Sequence, residues 1–167
     1  MADNKINYDY IAGKLKTETG KHFDFEWQAE IKSRVSGNGC PFLSGREVWP
    51  GYNDLATTNP KLATEWHPTK NGNLTPKDIT ANSHKKVWWK CRQGHEWQTA
   101  IANRTKGNGC PYCSGQKVLM GYNDLQTINL ILANEWNYEK NGELMPSDVT
   151  PNSSKIVWWK CSKGHEW

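Results

Sequence analysis

Between residues 86 and 101, apolar and polar positions alternate with a period of two. Val87, Trp89 and Cys91 fall on one side of the run, and Lys86, Trp88, Lys90 and Arg92 on the other. After Arg92-Gln93-Gly94 the alternation resumes through His95, Trp97, Thr99 and Ile101. Two such runs about a glycine-containing turn predict a β-hairpin, with a first strand from Val87 to Cys91 and a return strand from His95 to Arg104. Side-chain direction reverses at each strand residue, so Trp89 and Trp97 are expected in the core and Trp88 on a basic outer face. The alternative is that the preceding helix covers Trp88 and the lysines are ordinary solvated charges.

Upstream the period lengthens. Asn59-Pro60 is a helix-start signal, Leu62, Ala63 and Trp66 give a short apolar face, and Pro68 ends it. Lys70-Asn71-Gly72-Asn73 reads as a turn, and Thr75-Pro76-Lys77-Asp78 as a second turn or one-turn cap. The expected class is small α+β, with one hairpin and one short helix per unit.

The pattern recurs at a constant offset along the chain. Gly51-Tyr52-Asn53-Asp54-Leu55 returns as Gly121-Tyr122-Asn123-Asp124-Leu125, Glu65-Trp66 as Glu135-Trp136, and Val87 to Cys91 as Val157 to Cys161. Repetition at a fixed step is the signature of stacked units. It divides the chain into an N-terminal arm (1–20), a degenerate half repeat (21–50), a complete repeat (51–120) and a repeat cut short (121–167). The half repeat keeps Cys40 at the position of Cys110 but has Lys21, Phe25 and Leu43 where the complete repeat has Cys91, His95 and Cys113. An apolar plug of Phe25 and Leu43 is expected there, with His22 as a surface histidine or a recruited ligand.

Chemistry concentrates in the complete repeat. Cys91, His95, Cys110 and Cys113 stand at C-x3-H-x14-C-x2-C spacing. Three thiolates and an imidazole in two short turns are the donor set of a structural tetrahedral Zn2+ site, with no position left open for catalysis. Gly94 and Gly109 are expected to free the backbone beside the ligands, and Pro111 to stiffen the second turn. Cys161 and His165 form half of a second site, and Cys40 a fragment of another. The end units are complementary, so they are expected to pair within one chain or head-to-tail between chains. The abrupt stop at Trp167 also reads as a fragment of a longer array.

The run Asn59-Pro60, Glu65-Trp66, Asn71-Gly72, Val87-Trp88-Trp89-Lys90-Cys91, Gly94-His95-Glu96-Trp97 and Gly109-Cys110-Pro111-Tyr112-Cys113 resembles the tandem "probable zinc-ribbon" (treble-clef-like) repeat domain of bacterial and large-DNA-virus proteins. The resemblance covers nearly all of the chain after residue 20. It implies Cys91, His95, Cys110 and Cys113 as metal ligands. Similar proteins occur beside nuclease-like domains, which implies an accessory role in binding nucleic acid, DNA above all.

Composition sharpens the picture. Apolar residues make up 36% of the 167, against roughly 45 to 50% in ordinary domains, so metal and the ten tryptophans must carry much of the stability. Five cysteines, four in metal-type positions, point to a reducing, cytoplasmic setting, and no apolar run is long enough for a membrane span. Net charge is +4, but residues 51–120 hold ten Lys or Arg against four Asp or Glu. Lys86, Lys90, Arg92, Arg104 and Lys106 are the expected phosphate contacts and Trp88 a stacking platform for a base. A protein-interaction or architectural array is the competing function. An enzyme is not expected: Asp78 and Asp148 recur as turn caps, and no nucleophile, base and open metal position come together.

Overall fold

The computed structural model describes residues 27–167. The N-terminal arm, Lys21, His22 and Phe25 lie outside these residues. In chain order the elements are α1 (Ile31–Val35), α2 (Leu55–Thr58), α3 (Pro60–Ala63), β1 (Lys86–Lys90), β2 (Glu96–Ala100), α4 (Ile101–Thr105), α5 (Leu125–Ile128), α6 (Leu130–Ala133) and a 3-10 turn at Pro146–Asp148. The architecture is small α+β. Among the described residues no helix is long and apolar enough to cross a membrane.

β1 and β2 pair antiparallel with Trp89 opposite Trp97 and Val87 opposite Thr99. The outer edge of β1 is not left open. His67 N–H donates to the Trp88 carbonyl (3.1 Å) and Lys90 N–H to the Glu65 carbonyl (2.7 Å), so residues 65–67 lie along it like a third strand. The same bonds join Asn137 to Trp158 and Lys160 to Glu135. Covering an edge in this way satisfies backbone groups that would otherwise template pairing with another chain.

The return strand ends at Ala100, well before Arg104, and the chain turns directly into α4. Ile101, Ala102 and Arg104 are all buried. Strand alternation cannot bury consecutive residues on one face, whereas a helical turn does. Ile101 N–H and Ala102 N–H donate to the Lys85 and Ser83 carbonyls, fixing the switch.

The expected helix at Asn59-Pro60 is present, but it is the second of a pair. Asn59 sits at φ −139°, ψ 63°, which separates α2 from α3, and Asn129, followed by Leu130 and not by a proline, breaks α5 from α6 in the same conformation (φ −141°, ψ 76°). Asp54, fully buried, caps α2: its carboxylate accepts from Thr57 N–H (2.9 Å), the Thr57 hydroxyl (2.7 Å) and Gly51 N–H (2.5 Å). Burial works against this charge, yet those donors outweigh it and hold the Asp54 carboxyl below the usual range. Asp78 closes its own turn by accepting from Thr75 N–H and the Thr75 hydroxyl.

One core lies under the hairpin, built from Leu55, Ile79, Val87, Trp89, Trp97, Ile101 and Cys110. Trp89 is completely buried and meets Trp66 edge-on at 5.5 Å; its burial alone contributes on the order of 3 kcal/mol. A smaller core is built from Leu125, Trp136 and Val149, with Leu144, Val157 and Trp159 against it. Leu43 fills no apolar plug: it is exposed at 37%.

Candidate metal centre

The hairpin turn and the loop after α4 bring two pairs of ligands together. In the first, Cys91 N–H donates to the His95 carbonyl and Gly94 N–H to the Cys91 carbonyl. Gly94 sits at φ 85°, a left-handed conformation that explains the glycine. In the second, Ser114 N–H donates to the Cys110 carbonyl, and Lys117 N–H to that of Pro111. The positive φ in this region belongs to Gly107 (96°) and not to Gly109, so the freedom is needed where α4 ends, ahead of the expected position.

The four donor atoms of Cys91, His95, Cys110 and Cys113 all lie within 4.8 Å of one another. His95 Nδ1 is 3.5 Å from Cys91 Sγ, 3.6 Å from Cys110 Sγ and 3.2 Å from Cys113 Sγ, and the Cys91 and Cys113 sulfurs are 3.8 Å apart. Zinc–sulfur and zinc–nitrogen bond lengths in a regular tetrahedron require edges of about 3.8 Å between sulfurs and about 3.6 Å from sulfur to nitrogen. The donor set therefore fits zinc in both chemistry and spacing, with His95 presenting Nδ1. Four protein donors close the site. Zinc bound there would supply cross-linking between the two turns and no open position.

The protein groups alone prepare the sulfurs unequally. Burial acts against the Cys91 thiolate, but backbone N–H groups of His95 and Gln93 outweigh it and lower its pKa. Cys113 is pushed up to about 11, by desolvation and by the neighbouring Cys110 and Cys91 sulfurs. Because Cys113 is exposed as a residue, the crowding of sulfurs is the firmer of these causes. A dication held by these thiols would reverse that balance, since metal binding displaces thiol protons.

Tyr122, which the ligand spacing gives no reason to single out, completes the centre. Its ring packs edge-on against the His95 ring at 4.3 Å, and its hydroxyl lies 4.0 Å from Cys113 Sγ. Asn123 fixes it there by donating to the Tyr112 carbonyl (2.7 Å) and the Lys117 carbonyl (2.9 Å). Asn53 makes the same bonds to the Phe42 and Glu47 carbonyls. Recurrence of Gly-Tyr-Asn-Asp in the sequence is the available signal, although nothing in it indicates contact with a metal centre in the preceding unit.

Around the hairpin, the expected phosphate contacts separate into two groups. Lys86, Arg92 and Lys106 are exposed, and no acidic partner meets them among the described residues. Lys90 lies 3.5 Å from Glu96. Arg104 is not on this surface: it is 8% exposed, pairs with Glu65, donates to the Asn108 carbonyl and lies over the Trp89 and Trp97 rings at 5.3 and 5.2 Å. Its place inside α4 rather than on a strand accounts for the difference. Trp88 is half-buried, with Lys70 Nζ 4.5 Å above its ring.

Glu96 gathers charge beside the centre. Lys70 Nζ lies 2.5 Å away and His67 Nε2 3.0 Å away, and they hold its carboxyl down to about 2. His67 Nδ1 accepts from Thr69 N–H and Lys70 N–H, so its proton belongs on Nε2, facing Glu96.

Cys161 and His165 form the same turn as Cys91 and His95, with Cys161 N–H donating to the His165 carbonyl (3.0 Å). His165 is exposed, and neither it nor Cys161 belongs to a group of three or more potential ligands among the described residues. Cys40 is buried; the pKa of nearby Tyr52 is raised, by burial first and by Cys40 second.

The family model of the "Probable Treble clef zinc finger domain" matches residues 62–116 and again 132–167, together more than half of the chain. No curated protein matches it.

Proposed function

The chain belongs to the probable treble clef zinc finger domain family, and from that premise we propose that it is a zinc-stabilised nucleic-acid-binding module made of tandem units. The two family matches begin at residues 62 and 132, in phase with the sequence repeat, which supports the tandem reading. The carrying observation is the outward side of β1. Lys86 and Lys90 flank Trp88 on one face of a strand whose opposite side is clamped to the metal centre, with Arg92 next in the turn. A metal-fixed hairpin holds cations and an aromatic ring at fixed spacing, which suits a phosphate backbone with a base stacked beside it. Lys70, already paired with Glu96, lies over the Trp88 ring and is the cation that a stacking base would have to displace. Thiolate ligation calls for a reducing compartment.

The test is titration of the zinc-loaded chain with fluorescent single-stranded and duplex oligonucleotides between about 50 and 200 mM salt. Binding should weaken linearly in log–log form, by close to one power of salt concentration per phosphate engaged. Lys86→Glu and Arg92→Glu should each flatten the slope by about one phosphate without altering the melting temperature by more than a degree or two. Absence of binding at the lowest salt sinks the proposal.

A second reading, a protein-interaction array, is favoured by one observation. Ile128, Leu130 and Ile131 are exposed at 58, 59 and 82%, where the preceding unit has Thr58, Pro60 and Lys61. An apolar cluster of this kind suits a protein face. Salt-insensitive binding to a protein would favour it.

A further inference from the structure

Cys113 is the weak point of the ligand set. His95 and Cys110 are buried and Cys91 is half-buried, while Cys113 is exposed. A metal held by four protein donors leaves only after one of them lets go, and the ligand that water or a competing donor reaches is the first to do so. What stands over Cys113 therefore decides how well the site retains its metal.

The side chain that stands there comes from the following unit. Tyr122 directs its hydroxyl at Cys113 Sγ, 4.0 Å away. Its ring meets the His95 ring at 4.3 Å, and Tyr112, from the unit of the site itself, meets it at 5.6 Å. One aromatic ring from each unit thus touches the ligating imidazole.

Tyr122 is held in place from both directions. Leu119 closes a turn around it by accepting from Tyr122 N–H (3.0 Å) and Asn123 N–H (3.2 Å) and by donating to the Asn123 side chain (2.7 Å). Asn123 in turn grips the Tyr112 and Lys117 carbonyls, which lie before and after Cys113 in the ligand loop. On the other side Asp124, buried, accepts from Gly121 N–H (2.6 Å) and caps α5. Leu125 then enters the second core, and its N–H donates to the Val149 carbonyl (2.8 Å). Thr150, next in the chain after Val149, reaches back to the Gly115 carbonyl at 3.4 Å. The position of the phenol is therefore set by the core of its own unit and by the ligand loop of the unit before.

We propose that Tyr122 is a positioning residue for the metal centre of the preceding unit, its hydroxyl donating to Cys113 Sγ and its ring walling His95, so that a unit holds zinc tightly only with the next unit seated on it. Groups that fix and hydrogen-bond the ligands tune a metal site as the ligands themselves do. The coupling is reciprocal: zinc bound in one unit tightens the seating of the next by the same factor. This goes beyond nucleic-acid binding and stands or falls separately from it.

Competition between the full chain and a colorimetric zinc chelator measures the retention. Tyr122 is 39% exposed and belongs to neither core, so its variants should fold. Tyr122→Ala should weaken zinc binding about tenfold, and Tyr122→Phe, which keeps the ring and loses only the hydroxyl, about threefold. Cobalt(II) in place of zinc separates a direct contact from a general loosening. A hydrogen bond lowers the energy of the sulfur lone pairs, so its loss in Tyr122→Phe should move the sulfur-to-cobalt charge-transfer band to longer wavelength at full cobalt loading. Iodoacetamide on the zinc-loaded chain, followed by peptide mapping, should modify Cys113 before Cys91 and Cys110, and faster in Tyr122→Ala than in wild type. A cobalt band that Tyr122→Phe leaves unmoved overturns the proposal, as does a zinc affinity within about twofold of wild type in Tyr122→Ala.

Discussion

Replacing Arg104 separates a structural cation from a nucleic-acid contact. Its side chain is 7% exposed and that of its partner Glu65 32%. Arg104→Ala removes the pair, the hydrogen bond to the Asn108 carbonyl and the two contacts over Trp89 and Trp97. Breaking a buried pair from one side costs roughly 3 to 5 kcal/mol, and solvent at Glu65 screens its share. The two ring contacts contribute about 0.5 to 1 kcal/mol each. The expected loss is therefore about 3 to 4 kcal/mol. Arg104→Lys, which keeps the charge but not the planar fork, should lose about half of this. Chemical denaturation of the zinc-saturated chain at fixed free zinc measures it, because metal bound only to the folded state shifts apparent stability. Oligonucleotide affinity, measured below the denaturation range, should be unchanged. Stability within about 1 kcal/mol of wild type, together with weakened oligonucleotide binding, would refute the assignment.

The same geometry yields three further expected outcomes. Asp54 has a depressed folded pKa, so it stabilises the fold above the ordinary carboxylate range near pH 4 and loses that contribution as pH falls through its lower folded value; Asp54→Asn should lower stability at pH 7 by about 1 to 2 kcal/mol and flatten the acid limb of a denaturation-versus-pH curve. His67→Asn should be tolerated within about 1 kcal/mol, because Asn137 already performs the role in the next unit, accepting from Lys140 N–H at 3.1 Å as His67 Nδ1 does from Lys70, whereas His67→Leu leaves those N–H groups unmet and should cost about 2 kcal/mol in thermal melts. Removing zinc with a strong chelator should release protection of the amides of β1, β2 and α4 in hydrogen exchange, since cross-linking of the two turns depends on the metal; full protection after chelation would contradict a structural role.

Side-chain alternation is enough to place Val87, Trp89 and Trp97 in the core, and the ligand spacing is enough to select the four residues that converge. Both signals are local, acting over one strand or one turn. Alternation misplaces Arg104 because it cannot tell a strand that continues from one that ends in a helix: Ile101 is buried either way, and only Ala102 beside it discriminates. α2 escapes it because its signal is a single cap, Asp54 with Thr57 after it, in a segment too short for periodicity. Tyr122 is beyond reach for another reason: its partners are His95 and Cys113, in the unit before its own.

The grip of Asn123 on the Tyr112 and Lys117 carbonyls is matched by that of Asn53 on Phe42 and Glu47, and Thr150 reaches Gly115 as Thr80 reaches Gly45. The two joints thus use the same set of contacts. In any chain that repeats such a joint, units related by one displacement would trace a screw whose pitch is set at the joints and not by the units they connect. The setting of one unit on the next is consequently carried by a handful of side-chain amides and hydroxyls, and because Asn123 also holds the Tyr112 carbonyl beside Cys113, Asn123→Ala would loosen the joint and the edge of the metal centre together.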